Sequence, residues 1–317
     1  MHGLKIATHL LAKIQQMKSK RTKKLPGSSM KLQENHCPVP AGILVVIGGH
    51  ENKGQDEPHD KKKPSDFIKL EVLQTFRDAT HKRDPRVEVI TTASSEPAEM
   101  FKEYQKVFEK IGITNIGQIH HTSRKDLNED QMLERIKNAD AFFFAGGDQL
   151  KLTATYGGTY FLTALKYRYI NEPIVIGGTS AGAMALSTPM IYAGNEKVQE
   201  LGGDIKVTTG LEFLKDVCID THFINRSRLI RLAQTIVTNP TSVGIGIEED
   251  TAIVVTKGTE MRVVGNSLVI IVDGFGITAS NISEFSEDKP VTARDLKIHI
   301  LSDGDLYEIP QINPPHK

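Results

Sequence analysis

Strand-like apolar runs alternating with segments of helical periodicity constrain this chain more than any other feature. The runs are GILVVIGG at 42–49, VEVITTAS at 87–94, NIGQIHHT at 115–122, AFFFAGG at 141–147 and PIVIGG at 173–178. Between them, helical spacing marks Asp66–Ala79, Pro97–Ile111, Asn128–Lys137 and Leu150–Tyr169. In the first of these Leu70, Leu73 and Phe76 share a side, flanked by Phe67 and Val72; Ser94 and Ser95 are candidate caps for the second; Gly157-Gly158 interrupts the last. Strands this poor in polar residues are buried on both faces, which calls for helices on either side of a parallel sheet. The expected fold is therefore α/β, with a mostly parallel sheet sandwiched by helices. Three runs end in Gly-Gly, at 48–49, 146–147 and 177–178. Each suits an ordinary turn, but ligands in such folds sit beyond the carboxyl ends of strands, so the three together suggest backbone approaching a ligand.

The second half reads differently. VCIDTHF (217–223) is a strand, followed by a helix over Ser227–Val237. SVGIGIEED (242–250) and AIVVTKG (252–258) read as a hairpin-like pair, and MRVVGNSLVIIVDGF (261–275) as two strands about a Gly-Asn turn. LKIHIL and LYEI are short strands near the end. Antiparallel strands are thus expected toward the C-terminus. No repeat, low-complexity segment or internal linker interrupts residues 42–317, which are read as one α/β domain. Residues 1–41 form a basic N-terminal extension, a tail or a short docking helix. Lys5 and Lys13 break any signal-peptide apolar region there, and no A-x-A site follows.

Charge and cysteine content exclude several function classes. Lys+Arg and Asp+Glu both number 39, so no global basic excess recruits nucleic acid or an anionic membrane. No uncharged apolar run reaches the ~18 residues of a membrane-spanning helix. Cys37 and Cys218 lie far apart and form no C-x-x-C. A disulfide framework and a zinc site are not expected, and a reducing, cytoplasmic location is.

The chemistry gathers around IVIGGTSAGAMAL at 174–186. A tight strand–helix turn with Ser180 capping the helix is one reading. The other is a nucleophile elbow, since Gly178-Thr179-Ser180-Ala181-Gly182 fits G-x-S-x-G and small neighbours let the backbone turn sharply enough to project the serine. A serine nucleophile needs a base and a group that orients the base. Of 11 histidines, His2, His9, His36, His50, His59, His81 and His316 lie in polar stretches or near the termini, His120 and His121 end a strand, and His299 alternates within one. His222 follows the apolar VCID at a strand end, on the rim where Ser180 belongs. Arg226, Arg228 and Arg231 come next, a set that suits a carboxylate or another anion, or else a solvated helix face. Glu248, Glu249 and Asp250 lie between two apolar runs and offer an orienting acid; a plain turn accounts for all three equally well. Asp220, two residues before His222, is a competing orienter or a ligand for a cationic substrate group. The order Ser…His…acid differs from the Ser…acid…His of α/β-hydrolases, and no HGGG loop is present, which favours an amidase over an esterase or lipase.

ILVVIGGHENKG, FFFAGGDQL, GGTSAGAMAL and DTHFINRSRLIRL followed by GIGIEEDTA, in this order and spacing, resemble the serine peptidase family that holds the cyanophycinases and the aspartyl dipeptidase peptidase E. The likeness runs from about residue 42 to 310 and implies a fold like that of class I glutamine amidotransferases. It implies Ser180 as nucleophile, His222 as base and Glu249 as acid, with backbone N–H groups near Gly147 and Ala181 as the oxyanion hole. Gln149, Asp220, Arg226, Arg228 and Arg231 would line the substrate site. Cyanophycinases cleave cyanophycin, a polyaspartate with arginine on each side-chain carboxyl, to β-Asp-Arg dipeptides. The resemblance further implies a homodimer that uses no metal and no cofactor. A peptidase E-like enzyme acting on Asp-X dipeptides, and an inactive binding protein of the same fold, are the alternatives. Thr221 stands where the family often has glutamine, and Gly48-Gly49-His50-Glu51-Asn52-Lys53 where it often reads Gly-Gly-Ala-Glu-Asp-Lys. Both departures bear on substrate choice.

Overall fold

A computed structural model describes residues 38–54, 70–194, 205–284 and 291–311. The N-terminal extension to residue 37, most of the charged 50–65 loop and the first residues of the helix expected over 66–79 lie outside the described residues. From Val39 onward the chain clusters as one unit.

The first half follows the alternation read from sequence. Strands β1 (Ile43–Ile47), β2 (Val87–Ile90), β3 (Ile116–Ile119), β4 (Ala141–Phe144) and β5 (Val175–Thr179) are connected by α1 (Glu71–Asp78), α2 (Pro97–Lys110), α3 (Glu129–Asn138), α4 (Gln149–Tyr156) and α5 (Tyr160–Asn171). All five strands are parallel, in the order β1-β5-β4-β2-β3. Although the strands are apolar almost throughout, the pleat sorts their residues. Val45, Ile47, Val89 and Phe143 face α1 and α2 through Phe76, Tyr104 and Phe108, whereas Leu44, Val46, Ile90 and Phe144 join the core with α3, α4 and α5. Asn128 caps α3 by accepting from the Gln131 N–H at 3.0 Å. Neither Ser94 nor Ser95 occupies the cap of α2; Glu96 does, and Ser94 Oγ accepts from its N–H at 3.0 Å.

After α6 (Ala181–Ala185) come four short strands, β6 (Ser187–Thr188), β7 (Met190–Ala193), β8 (Lys206–Thr208) and β9 (Leu214–Lys215). Strand β10 (Val217–Thr221), helix α7 (Leu229–Thr238) and strands β11 (Val243–Ile247), β12 (Thr251–Thr256), β13 (Glu260–Gly265) and β14 (Val269–Asp273) follow. The described chain ends through β15 (Ala279–Ser280), β16 (Ala293–Arg294), β17 (Lys297–Leu301) and β18 (Leu306–Glu308). Among the described residues there are two large sheets, not one. β12, β13 and β18 extend the parallel sheet on its β1 edge with antiparallel pairs, while β17-β14-β11-β10-β6-β9 is a separate sheet. The two hairpins read from sequence do not form. β11 pairs with β10 and β14, and β12 with β1 and β13, so the Glu248–Asp250 turn and the Gly265–Asn266 turn each carry the chain from one sheet to the other. Strands apolar on both faces give no periodicity to distinguish a hairpin partner from a partner elsewhere.

The topology sets three strand ends side by side. Val46 pairs with Gly178 in parallel register, and Phe144 pairs with Gly178 from the other side. In the second sheet β10 and β11 are parallel, with Thr221 opposite Ile247. The His222 N–H donates to the Gly48 carbonyl at 2.9 Å and so ties the two rims together.

Candidate active site

Ser180 stands between β5 and α6 with φ 51° and ψ −119°, a conformation that non-glycine residues rarely adopt. It occupies the cap position of α6 yet makes no side-chain capping bond. Its hydroxyl Oγ lies 2.9 Å from His222 Nε2 instead. Two features hold the turn: the Ser180 N–H donates to the Ile47 carbonyl at 3.1 Å, and a Cβ on Gly182 would stand 2.0 Å from the Phe144 carbonyl oxygen. Only glycine lets α6 press this closely on the end of β4.

His222 is buried, at the end of β10, with φ 50°. Gly49, at φ 101°, makes room for its ring; a Cβ there would fall 2.4 Å from the ring Cε1. Its Nδ1 lies 2.6 Å from Glu249 Oε1. A carboxylate accepts only, so Nδ1 carries the ring hydrogen and Nε2 is left to accept from Ser180. Asn225 Nδ2 donates to the other Glu249 oxygen at 2.6 Å.

The three acids after β11 separate by task. Glu249 takes the histidine. Glu248, buried, accepts from the backbone N–H groups of Ile224 and Asn225 and fixes the loop after His222. Asp250 Oδ1 accepts from the Asn52 N–H at 2.7 Å and Oδ2 from Asn266 Nδ2 at 2.9 Å, tying neighbouring turns.

Burial lowers His222 below the ordinary imidazole value of 6.5, against the opposing effect of the hydrogen bond it donates to Glu249. Burial would raise the Glu249 carboxyl, but its bond to His222, the neighbouring His50 and the Asn225 amide outweigh that and hold it below 4.5.

The remaining predicted residues are more dispersed. Gly147 is exposed at the end of β4, and at the adjacent Gly146 a Cβ would lie 3.9 Å from Ser180 Oγ, so this loop passes beside the hydroxyl. Ala181 opens α6 directly after the serine. Gln149 is half-buried and donates through Nε2 to the Ile191 carbonyl at 2.9 Å. Asp220 is fully buried and held on both oxygens: Arg231 Nε lies 2.7 Å from Oδ2 and Nη2 2.5 Å from Oδ1, while Arg228 Nη1 lies 3.1 Å from Oδ1. Arg228 also donates to the Thr221 carbonyl at 2.7 Å. Two of the three arginine side chains therefore converge, but on Asp220; Arg226 is exposed on the loop after His222. With both oxygens engaged, Asp220 is not presented to a cationic substrate group, and the two buried guanidinium groups outnumber the one carboxylate they share.

Sequence reasoning passed over several neighbours. His50 Nδ1 lies 3.2 Å from Glu249 Oε1, and its ring stands edge-on to His222 at 4.9 Å between centroids. Buried Glu51 accepts from the Tyr104 hydroxyl at 2.5 Å and from Thr179 Oγ1 at 2.6 Å, bracing the residue before Ser180. Their position immediately after the Gly48-Gly49 strand end was the available signal.

A hydroxyl on an imidazole on a carboxylate, at the carboxyl ends of strands in an α/β sandwich, is the equipment of a serine hydrolase. The chain belongs to peptidase family S51, whose model matches residues 64–263, and is a serine-type peptidase. It is 33% identical over 276 residues to a cyanophycinase of Synechococcus elongatus, covering 87% of this chain and 82% of that protein. A cyanophycinase of Geminocystis herdmanii is 30% identical over 264 residues, covering 83% of this chain and 92% of its own length. The crystal structure of a peptidase from an acI-B1 actinobacterium shares the fold, with a TM-score of 0.57 at 21% identity over 86% of this chain and 98% of that one.

Proposed function

We propose that Ser180, His222 and Glu249 are the nucleophile, base and orienting acid of a peptidase that hydrolyses cyanophycin to β-Asp-Arg dipeptides. The observation that carries the chemistry is the unbroken relay from Ser180 Oγ to His222 Nε2 at 2.9 Å and from His222 Nδ1 to Glu249 at 2.6 Å. His222 takes the hydroxyl proton on Nε2 as Oγ attacks an aspartyl backbone carbonyl. The N–H groups of Gly147 and Ala181 receive the oxyanion, each contributing roughly 3 kcal/mol. The imidazolium then protonates the departing amine, leaving an acyl ester on Ser180. Water, deprotonated by His222, cleaves that ester and regenerates the hydroxyl.

The substrate rests on two supports. Relatives at 30% and 33% identity over most of the chain bear the name cyanophycinase. The excess positive charge of the Asp220–Arg228–Arg231 cluster and the exposed Arg226 favour a substrate rich in carboxylates. In this reading Gln149 and Arg226 meet the substrate directly, and Asp220, Arg228 and Arg231 shape the field around it. The chain acts as a cytoplasmic homodimer on a peptide, without nucleic acid, membrane, metal or cofactor.

Incubating the purified protein with cyanophycin granules, Asp-X dipeptides and simple esters tests the assignment. Release of β-Asp-Arg, lost in Ser180→Ala, is expected. Turnover of Asp-X dipeptides alone would move the substrate to that of an aspartyl dipeptidase. Binding of cyanophycin without hydrolysis would remove the enzymatic reading of the substrate.

A further inference from the structure

His50 takes no part in the relay, yet it reaches it. Its side chain is 70% exposed, and its Nδ1 lies 3.2 Å from Oε1 of Glu249, the oxygen that meets His222 Nδ1 at 2.6 Å. Two imidazole nitrogens thus flank one carboxylate oxygen, and one donor atom from each of the three residues lies within 4.8 Å of the others. The His50 backbone has φ 42°, a conformation a non-glycine residue keeps only when its surroundings hold it there. Imidazole and carboxylate are ligands that zinc accepts, at about 2.0–2.2 Å, which places tetrahedral ligand atoms roughly 3.4 Å apart. The His50–Glu249 separation already has that size, and the His222–Glu249 pair needs to open by under about 1 Å to match it.

We propose that His50, His222 and Glu249 form a regulatory site for a divalent transition metal, Zn2+ being the ion that fits, in which metal binding switches the peptidase off. The two Nδ1 atoms and a Glu249 oxygen are the protein ligands, and water reaches the ion from the exposed His50 side. The inhibitory step rests on the proposed role of His222 as base. A metal on Nδ1 displaces the hydrogen that this atom shows to Glu249; in a neutral ring the hydrogen then resides on Nε2, with no net proton released. Nε2 then faces Ser180 as a donor and cannot accept the hydroxyl proton. The serine is left untouched and unactivated. Arg226, exposed on the loop after His222, adds positive charge on that loop and weakens the hold on a dication.

Calorimetric titration of the full chain with zinc chloride, at a pH where histidine is neutral, reads binding without reference to any substrate. In parallel, the rate at which a serine-directed fluorophosphonate modifies Ser180 reads the state of the base. The expected result is a zinc site whose affinity falls on the order of 10- to 100-fold in His50→Ala and His50→Gln, at least the loss seen when partners of metal ligands are removed. Zinc should slow modification of Ser180, a chelator should restore it, and each His50 variant should need at least about tenfold more zinc for the same fractional slowing relative to its own zinc-free rate. Absence of zinc binding, or binding and slowing unaltered in both variants, overturns the proposal. Zinc binding that depends on His50 while Ser180 is never modified, with or without zinc, keeps the metal site and instead removes the role given to Ser180 and His222.

Discussion

Ser180 and His222 both sit at positive φ, at 51° and 50°, and both face the same hydrogen bond. Each such residue costs roughly 1–3 kcal/mol, which places local strain where the chemistry is proposed. Ser180→Ala relieves none of the packing and removes only the hydroxyl; hydrolysis should fall by about a thousandfold or more, with the thermal midpoint changed little. Steady-state rates and a melting curve check both halves. Acidity makes a second, signed prediction. Burial keeps His222 neutral to lower pH than free imidazole, so the acid limb of kcat/KM should have its midpoint below 6.5. Glu249→Gln removes interactions that raise His222, and should move that limb further toward acid while lowering kcat by roughly 10³–10⁴-fold, as a misoriented base would. A limb at or above 6.5 in the parent protein, or one that moves toward alkali in the variant, would contradict the electrostatics described.

At the scale of elements, the strand–turn–helix around Ser180 depends on contact between backbones. Gly182→Ala puts a Cβ 2.0 Å from the Phe144 carbonyl, so α6 must shift away from β4; about 1–3 kcal/mol of stability should be lost together with serine reactivity. Denaturant melts and phosphonate labelling read the two effects. In Asp220→Ala, Arg228 and Arg231 are left buried without their shared carboxylate, and the expected destabilisation is about 3–5 kcal/mol. Much of this architecture was legible in the sequence because its signals are local. The βα alternation, the elbow glycines and the strand-end position of His222 each follow from neighbouring residues. The β11–β12 and β13–β14 turns were not legible, since GIGI and AIVV are apolar whichever sheet they join. Nor could spacing sort Glu248, Glu249 and Asp250, which differ only in which distant group each one meets. His50 reads as part of a polar loop until β1 pairs with β12 and brings the ends of both beside each other, and Asp220 reads as a free carboxylate until Arg228 and Arg231, at the start of α7, close onto it.

Across the whole molecule, the two large sheets share one hydrophobic core. Leu44, Val46 and Ile176 of the parallel sheet belong to the same cluster as Cys218, Ile219, Ile245 and Ile271 of the second. The proposed nucleophile comes from one sheet, and its base and acid from the rim of the other, so the relay exists only when both are packed together. Loss of serine reactivity and loss of helical signal should therefore coincide in a urea titration; two separate transitions would mean that the sheets unfold independently. Among the described residues no helix is long and apolar enough to cross a membrane. The most direct measurement is the site of covalent modification by a fluorophosphonate, mapped by mass spectrometry. The account predicts a single adduct on Ser180 in the parent protein and none in His222→Ala. An adduct on another residue, or peptide hydrolysis that survives Ser180→Ala, would contradict it.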